Sequence, residues 1–159
     1  MALSTTGIAH QILSALITYQ NNYGTINDCK VVLNHLIRKF SEPLKKENRQ
    51  KSYNSKMLKS SSKVVEEHLV PVNIIMNYFL ELNSEIKLNH NKETVERIED
   101  YLEETLTIVF ITKKEDMQLN KVGLQKQMPS EYYEVDNILF NDKWARYIKA
   151  DIFKNIIFN

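Results

Sequence analysis

The hydrophobic positions of this chain recur mainly every three to four residues, which is the spacing of amphipathic helices. The first two such stretches flank Tyr23-Gly24 and are expected to pack as a helical hairpin. We expect five to six helices in all. They cover residues 3–20, the segment from Asn27 or Asp28 to Pro43, residues 72–82, a segment beginning near Lys92, the segment from Thr112 to Gly123, and residues 141–150.

One segment has the composition of a β-strand instead. Residues 105–111 are rich in β-branched and aromatic side chains and are bounded by charged residues. Directly afterwards, Thr112 and Glu115 have the spacing of a capping box, which predicts the start of a helix. Because a strand needs a partner, a second strand is expected, either in residues 63–66 or in the tail after Ala150. The predicted fold class is mainly α (α+β), with one short two-stranded β element.

Composition limits the class of protein further. A chain of 159 residues with 43% hydrophobic residues suits a single domain with its own core, spanning residues 1–159. Three glycines and three prolines are too few for an all-β sandwich. The one cysteine, Cys29, lies in an apolar stretch and cannot form an intramolecular disulfide, which favours the cytosol. The N-terminus lacks the basic region of a signal peptide, so we expect a cytoplasmic protein with no membrane partner.

Charge is distributed unevenly, although the formal net charge is only +1. Residues 43–63 hold seven basic residues and one acid, whereas residues 66–104 hold ten acids and three basic residues. The basic segment is predicted to be a loop, either simply solvated or able to bind phosphates, with an aromatic ring available to stack on a base. Its candidate partner-binding residues are Lys45, Lys46, Arg49, Lys51, Tyr53, Lys56, Lys59 and Lys63.

Candidate catalytic chemistry lies just after this segment, in residues 67–71 (EHLVP). They resemble the beginning of the HNH nuclease motif, in which an acid and a histidine end a strand and a proline follows. The resemblance implies that Glu67 is a metal ligand and that His68 is the general base activating water for phosphodiester hydrolysis. It also implies an asparagine that positions the loop and a further side chain on the following helix. Asn83 and His90 stand at suitable distances along the sequence for these roles, His90 as the second metal ligand.

The same residues also have a purely structural interpretation. The HNH family has a glycine- and asparagine-rich loop after the proline, where residues 72–82 of this chain predict a helix. Glu66 and Glu67 would then be solvated charges, His68 would flank the end of a strand, and Pro71 would begin the helix. The sequence holds no glycine-rich phosphate loop, paired-cysteine metal motif, serine elbow or His-Glu-x-x-His helix.

The leading interpretation is therefore a small, non-catalytic cytosolic protein that binds a protein or a nucleic acid and needs no cofactor. The alternative is a metal-dependent, HNH-like nuclease, for which a divalent cation would be required. The abundance of Asn, Lys and Ile is typical of AT-rich bacteria, their phages and their mobile elements. From that composition we add the hypothesis that the protein is a phage or mobile-element inhibitor of host defence. Homodimer formation stays open, since nothing in the sequence fixes an interface.

Overall fold

The computed structural model describes residues 3–46 and 52–158, with the backbone alone for residues 43–46. Within these residues the chain forms six α-helices and one four-stranded sheet, which confirms the predicted mainly helical α+β class. The sheet has four strands where the sequence predicted two. The elements are α1 (Thr5–Gln20), α2 (Ile26–Lys46), β1 (Ser52–Ser55), β2 (Val64–His68), α3 (Val72–Glu85), α4 (Lys92–Thr105), β3 (Ile108–Thr112), α5 (Lys113–Lys121), α6 (Ala145–Lys149) and β4 (Ile156–Ile157).

The chain groups into two compact units, each built from two separate stretches of sequence. The helical unit consists of Met1–Pro43 and Val72–Thr105, and the sheet unit consists of Leu44–Pro71 and Leu106–Asn159. A single domain for residues 1–159 stays a prediction. None of the helices in the described part of the chain is long and apolar enough to cross a membrane.

Side-chain caps begin the first two helices of the helical unit. The Ser4 hydroxyl accepts a hydrogen bond from the backbone N–H of Gly7 and starts α1. For α2 the sequence predicted Asn27 or Asp28 as the cap, but the helix begins at Ile26 and Thr25 precedes it. The Asp28 carboxylate accepts from the Thr25 backbone N–H at 2.8 Å, while the Thr25 hydroxyl accepts from the Asp28 N–H at 3.2 Å. This reciprocal arrangement has the geometry of a capping box, with Asp in place of Glu.

The core of the helical unit comes from residues three or four apart on each helix, as the hydrophobic pattern predicted. Val31 and Val32 of α2 lie away from this core and are 70% and 42% exposed. Cys29 and Leu33 fill the buried face there instead, because a helix can direct only one side towards the core. The buried apolar residues of this unit include Ile8, Ile12, Leu13, Leu16, Leu33, Ile37, Phe79, Val95, Ile98 and Leu102.

In the sheet unit the strand order is β2-β3-β1-β4. The predicted strand, β3, is central; it pairs in parallel with β1 and antiparallel with β2. Both segments considered as its partner are strands, since β2 covers residues 64–68 and β4 lies in the C-terminal tail. However, β1 lies inside the basic segment 43–63, which the sequence predicted to be a loop.

The hydrophobic core of the sheet unit lies where α5, α6 and the tail pack on the strands. Its fully buried members include Leu69, Val109, Ile111, Leu119 and Tyr147. The aromatic ring of Trp144 packs at its edge. Ile148 on α6 is 38% exposed, because this helix has only five residues and presents a single face to the core.

Candidate functional site

Glu67 and His68, the pair that resembles the HNH motif, end strand β2. Each is paired across the sheet with a buried residue of β3, Glu67 with Val109 and His68 with Ile108. The pairing with β3 fixes the backbone at both positions. The acid and the histidine are therefore held at the end of a strand.

The side chain of Arg146, on α6, holds this strand end in place. It is 0% exposed, and its guanidinium donates to the backbone oxygens of His68, Leu69, Leu124 and Gln125. Its Nη2 also donates to the Glu67 carboxylate, with an Nη2 to Oε2 distance of 2.9 Å. Arginine has five N–H donors, so this set of acceptors uses the full donor capacity of the side chain.

The ion pair with Arg146 defines what the Glu67 carboxylate can do. The Glu67 side chain is only 18% exposed, and its negative charge is balanced by the fully buried guanidinium of Arg146. A buried cation without this partner would be strongly unfavourable, so the pair belongs to the packing of the sheet unit. A divalent cation bound at Glu67 would have to share the carboxylate with that guanidinium and would be repelled by it.

The other two residues implied by the HNH resemblance lie in the helical unit. His90 is exposed, in the connection between α3 and α4. Asn83 is buried on α3, where its backbone oxygen accepts a hydrogen bond from the Gln20 side chain at 2.9 Å. Across residues 3–46 and 52–158, no group of three or more His, Cys, Asp and Glu side chains is arranged to hold a metal ion.

Four of the basic candidates, Lys45, Lys46, Arg49 and Lys51, have side chains outside the described residues. The remaining lysines, Lys56, Lys59 and Lys63, are exposed in the connection between β1 and β2. The structure thus places three of the predicted cations on one loop of the sheet unit.

Tyr53, the predicted stacking residue, lies in an aromatic cluster of the sheet unit. Its ring centroid is 5.1 Å from that of Trp144 and 5.4 Å from that of Phe158. Trp144 in turn packs on Phe153 and Tyr147. Edge-to-face contacts of this kind contribute to the stability of the core, so the ring already has protein partners.

A feature that the sequence-based interpretation missed is the loop formed by residues 132–141, which begins within the short 3-10 helix Ser130–Tyr133 and ends before α6. The backbone N–H of Asn141 donates to the Tyr132 oxygen at 3.0 Å and closes the loop. Inside it, Phe140 N–H donates to the Asn137 oxygen, and the Asn137 amide group donates to the Glu134 carboxylate at 3.0 Å. Asn141 has φ 52°, a left-handed conformation that asparagine tolerates. The result is a compact loop with joined ends.

This 132–141 loop exposes large apolar side chains. Ile138 is 94% exposed and Val135 is 74% exposed, and Tyr133 and Phe140 are also exposed. Isolated exposed apolar residues are ordinary, but these four fall within ten residues of one hydrogen-bonded loop, which makes the loop a candidate interaction surface. Burying an isoleucine is worth about 1.5–3 kcal/mol, and the fold gains almost none of that energy at Ile138.

The loop is also acidic: residues 132–141 include Glu134 and Asp136 and no basic residue. Neighbouring Glu131 is bound by Lys149 of α6, and the hydrogen bond from Lys149 lowers the pKa of the Glu131 carboxyl. Within the described residues, Glu134 is bonded through one oxygen to Asn137, and the exposed Asp136 has no ion-pair partner. The sequence signal that could have found this loop is a cluster of large apolar residues, among acids and asparagines, that lacks both helical and strand periodicity.

The chain was also compared with known proteins. No family model, curated protein or solved structure matches it.

Proposed function

We propose that the protein acts without catalysis, by binding another protein through the 132–141 loop. The observation that carries this proposal is that a closed, hydrogen-bonded loop holds Ile138 94% and Val135 74% exposed. A loop of fixed shape has already lost much of its conformational freedom, so binding through it costs little further ordering. Protein interfaces gain most of their affinity from a few large apolar or aromatic anchors.

The chemistry of the loop favours a protein over a nucleic acid as its partner. Nucleic-acid binding depends on cations that neutralise phosphates, and this loop has two carboxylates and no cation. The abundance of Asn, Lys and Ile, which is typical of AT-rich bacteria and their phages, adds the hypothesis that the partner is a component of a bacterial defence system.

Changing Ile138 to glutamine is expected to weaken partner binding by about tenfold or more, which is the effect of losing a central anchor. The free energy of unfolding should change by less than about 0.5 kcal/mol, because Ile138 packs against almost nothing in the free protein. The partner would first be identified with a photo-crosslinking residue at position 138, introduced in the cells that produce the protein. Its dissociation constant would then be measured with purified components.

Met117→Gln is the matched control, since Met117 is a large, 62% exposed apolar residue on α5 of the same unit. It should bind like the unchanged protein. Lys59→Glu reverses the charge of one exposed lysine in the connection between β1 and β2, and it tests the nucleic-acid interpretation. Equal affinity of the Ile138→Gln and unchanged proteins would refute the proposal, and so would a crosslink exclusively to a second copy of the chain.

The nuclease alternative leads to a separate expectation. We expect no cleavage of supercoiled plasmid or single-stranded DNA in magnesium, manganese or nickel, because the Glu67 carboxylate is ion-paired with the buried Arg146 guanidinium. His68→Ala is the control variant, and it retains the backbone oxygen that Arg146 binds. Metal-dependent cleavage that disappears in His68→Ala would contradict a non-catalytic function and support the HNH-like one.

A further inference from the structure

A second inference rests on the proposed function and concerns the partner of the 132–141 loop. We infer that this partner is a protein surface with an apolar pocket bordered by lysine or arginine side chains.

The two kinds of side chain are adjacent along the loop. Glu134 and Asp136 flank Val135, and Ile138 follows two residues later. All four are exposed. A partner that covers Val135 and Ile138 therefore also comes close to both carboxylates.

These carboxylates differ from the other acids beside the loop. Glu131 is bound by Lys149, and Asp142 accepts a hydrogen bond from the Trp144 backbone N–H at 2.8 Å. Both acids are therefore already engaged in contacts within the protein. Glu134 is oriented through one oxygen by Asn137, and among the described residues neither Glu134 nor Asp136 has a basic partner. Covering them with an apolar or acidic surface would cost desolvation energy without compensation.

Charge complementarity then defines the partner. Cations at the border of its pocket would pair with Glu134 and Asp136 while the pocket receives Ile138. Charges at the edge of an interface mainly raise the association rate and make binding sensitive to salt. The apolar anchor would supply most of the affinity, and the carboxylates would select a basic partner.

The test uses a library of random twelve-residue peptides displayed on phage and selected on the full-length protein. Peptides that bind the unchanged protein and not Ile138→Gln are expected to combine a large apolar or aromatic residue with lysine or arginine. Their affinities would be measured at low and at physiological salt against the double variant Glu134→Gln, Asp136→Asn. Glutamine can still accept the hydrogen bond from Asn137, so the loop should keep its shape.

We expect the double variant to bind these peptides about three- to tenfold more weakly at low salt, with a reduced salt dependence. The control is Asp100→Asn with Glu104→Gln on α4, which changes the net charge equally at exposed positions of the helical unit; it should have no effect. Ile138-dependent peptides without basic residues, or with unchanged affinity for the double variant, would overturn the inference and leave the proposed function standing. The absence of any Ile138-dependent peptide would overturn the inference, whereas the proposed function is decided by the crosslinking and affinity measurements on Ile138→Gln.

Discussion

Replacing Arg146 with alanine should destabilise the protein by about 4 kcal/mol, the cost of removing one partner from a buried ion pair. The side chain is fully buried, and its loss leaves the backbone oxygens of His68, Leu69, Leu124 and Gln125 without their donor. A buried acceptor that loses its hydrogen bond costs about 1–3 kcal/mol. The Glu67 carboxylate, only 18% exposed, would lose its counter-charge at the same time.

Urea unfolding followed by tryptophan fluorescence measures this effect, because Trp144 is the single tryptophan of the chain and precedes Arg146 by two residues. Lys149→Ala is the matched control on the same helix; it removes a partly exposed ion pair with Glu131 and should cost less than about 1 kcal/mol. Arg146→Lys should resemble the alanine variant, since an ammonium cannot reach acceptors spread around a planar guanidinium. A loss of less than 1 kcal/mol in Arg146→Ala would show that the guanidinium does not hold the sheet unit together.

Glu115→Ala is the second substitution with a large expected effect, about 3 kcal/mol. One oxygen of this buried carboxylate accepts from the backbone N–H and the hydroxyl of Thr112 at 2.8 and 2.9 Å, which closes the capping box of α5. The other oxygen accepts from the Ser55 hydroxyl at 2.8 Å and from the Asn155 amide group at 2.9 Å. Loss of a cap costs about 1 kcal/mol, and unsatisfied buried donors account for the rest.

The same fluorescence measurement applies, together with amide hydrogen exchange of β1 and β4. Glu115 binds Ser55 at the end of β1 and Asn155 immediately before β4. Exchange should accelerate there and at the start of α5. Lys114→Ala, at an exposed position of the same helical turn, is the control and should leave stability almost unchanged. Unchanged exchange in β1 and β4 after Glu115→Ala would mean that the two hydrogen bonds do not stabilise these strands.

These two residues also show what could be predicted of the site. The capping role of Glu115 depends on Thr112, three residues away, and was predicted and confirmed. Its bonds to Ser55 and Asn155 join residues 60 and 40 positions apart in sequence, and no local pattern indicates them. The role of Arg146 was missed for the same reason, because its acceptors lie 21 to 79 positions away.

Exposed apolar residues depend on tertiary structure in another way. In the 132–141 loop the sequence shows apolar residues, but a large apolar side chain can lie inside or outside a fold. Only the backbone hydrogen bonds of the loop and the resulting exposure of Ile138 indicate that these residues form a candidate binding surface. The Glu67-His68 pair was correctly placed at the end of a strand, yet the neighbouring guanidinium that bears on its chemistry comes from α6.

By itself, the sequence indicated where the six helices, the central strand β3 and the cap of α5 lie, because periodicity, β-propensity and capping act over a few residues. The last helix, predicted over residues 141–150, covers only Ala145–Lys149. The sequence also indicated the β2 and β4 segments as strand partners. Only the tertiary structure decided that the polar residues 52–55 form a strand, since parallel pairing with β3 is a contact between segments far apart in sequence. It likewise decided which charges are buried together and which apolar residues face water, because these depend on the packing of distant segments.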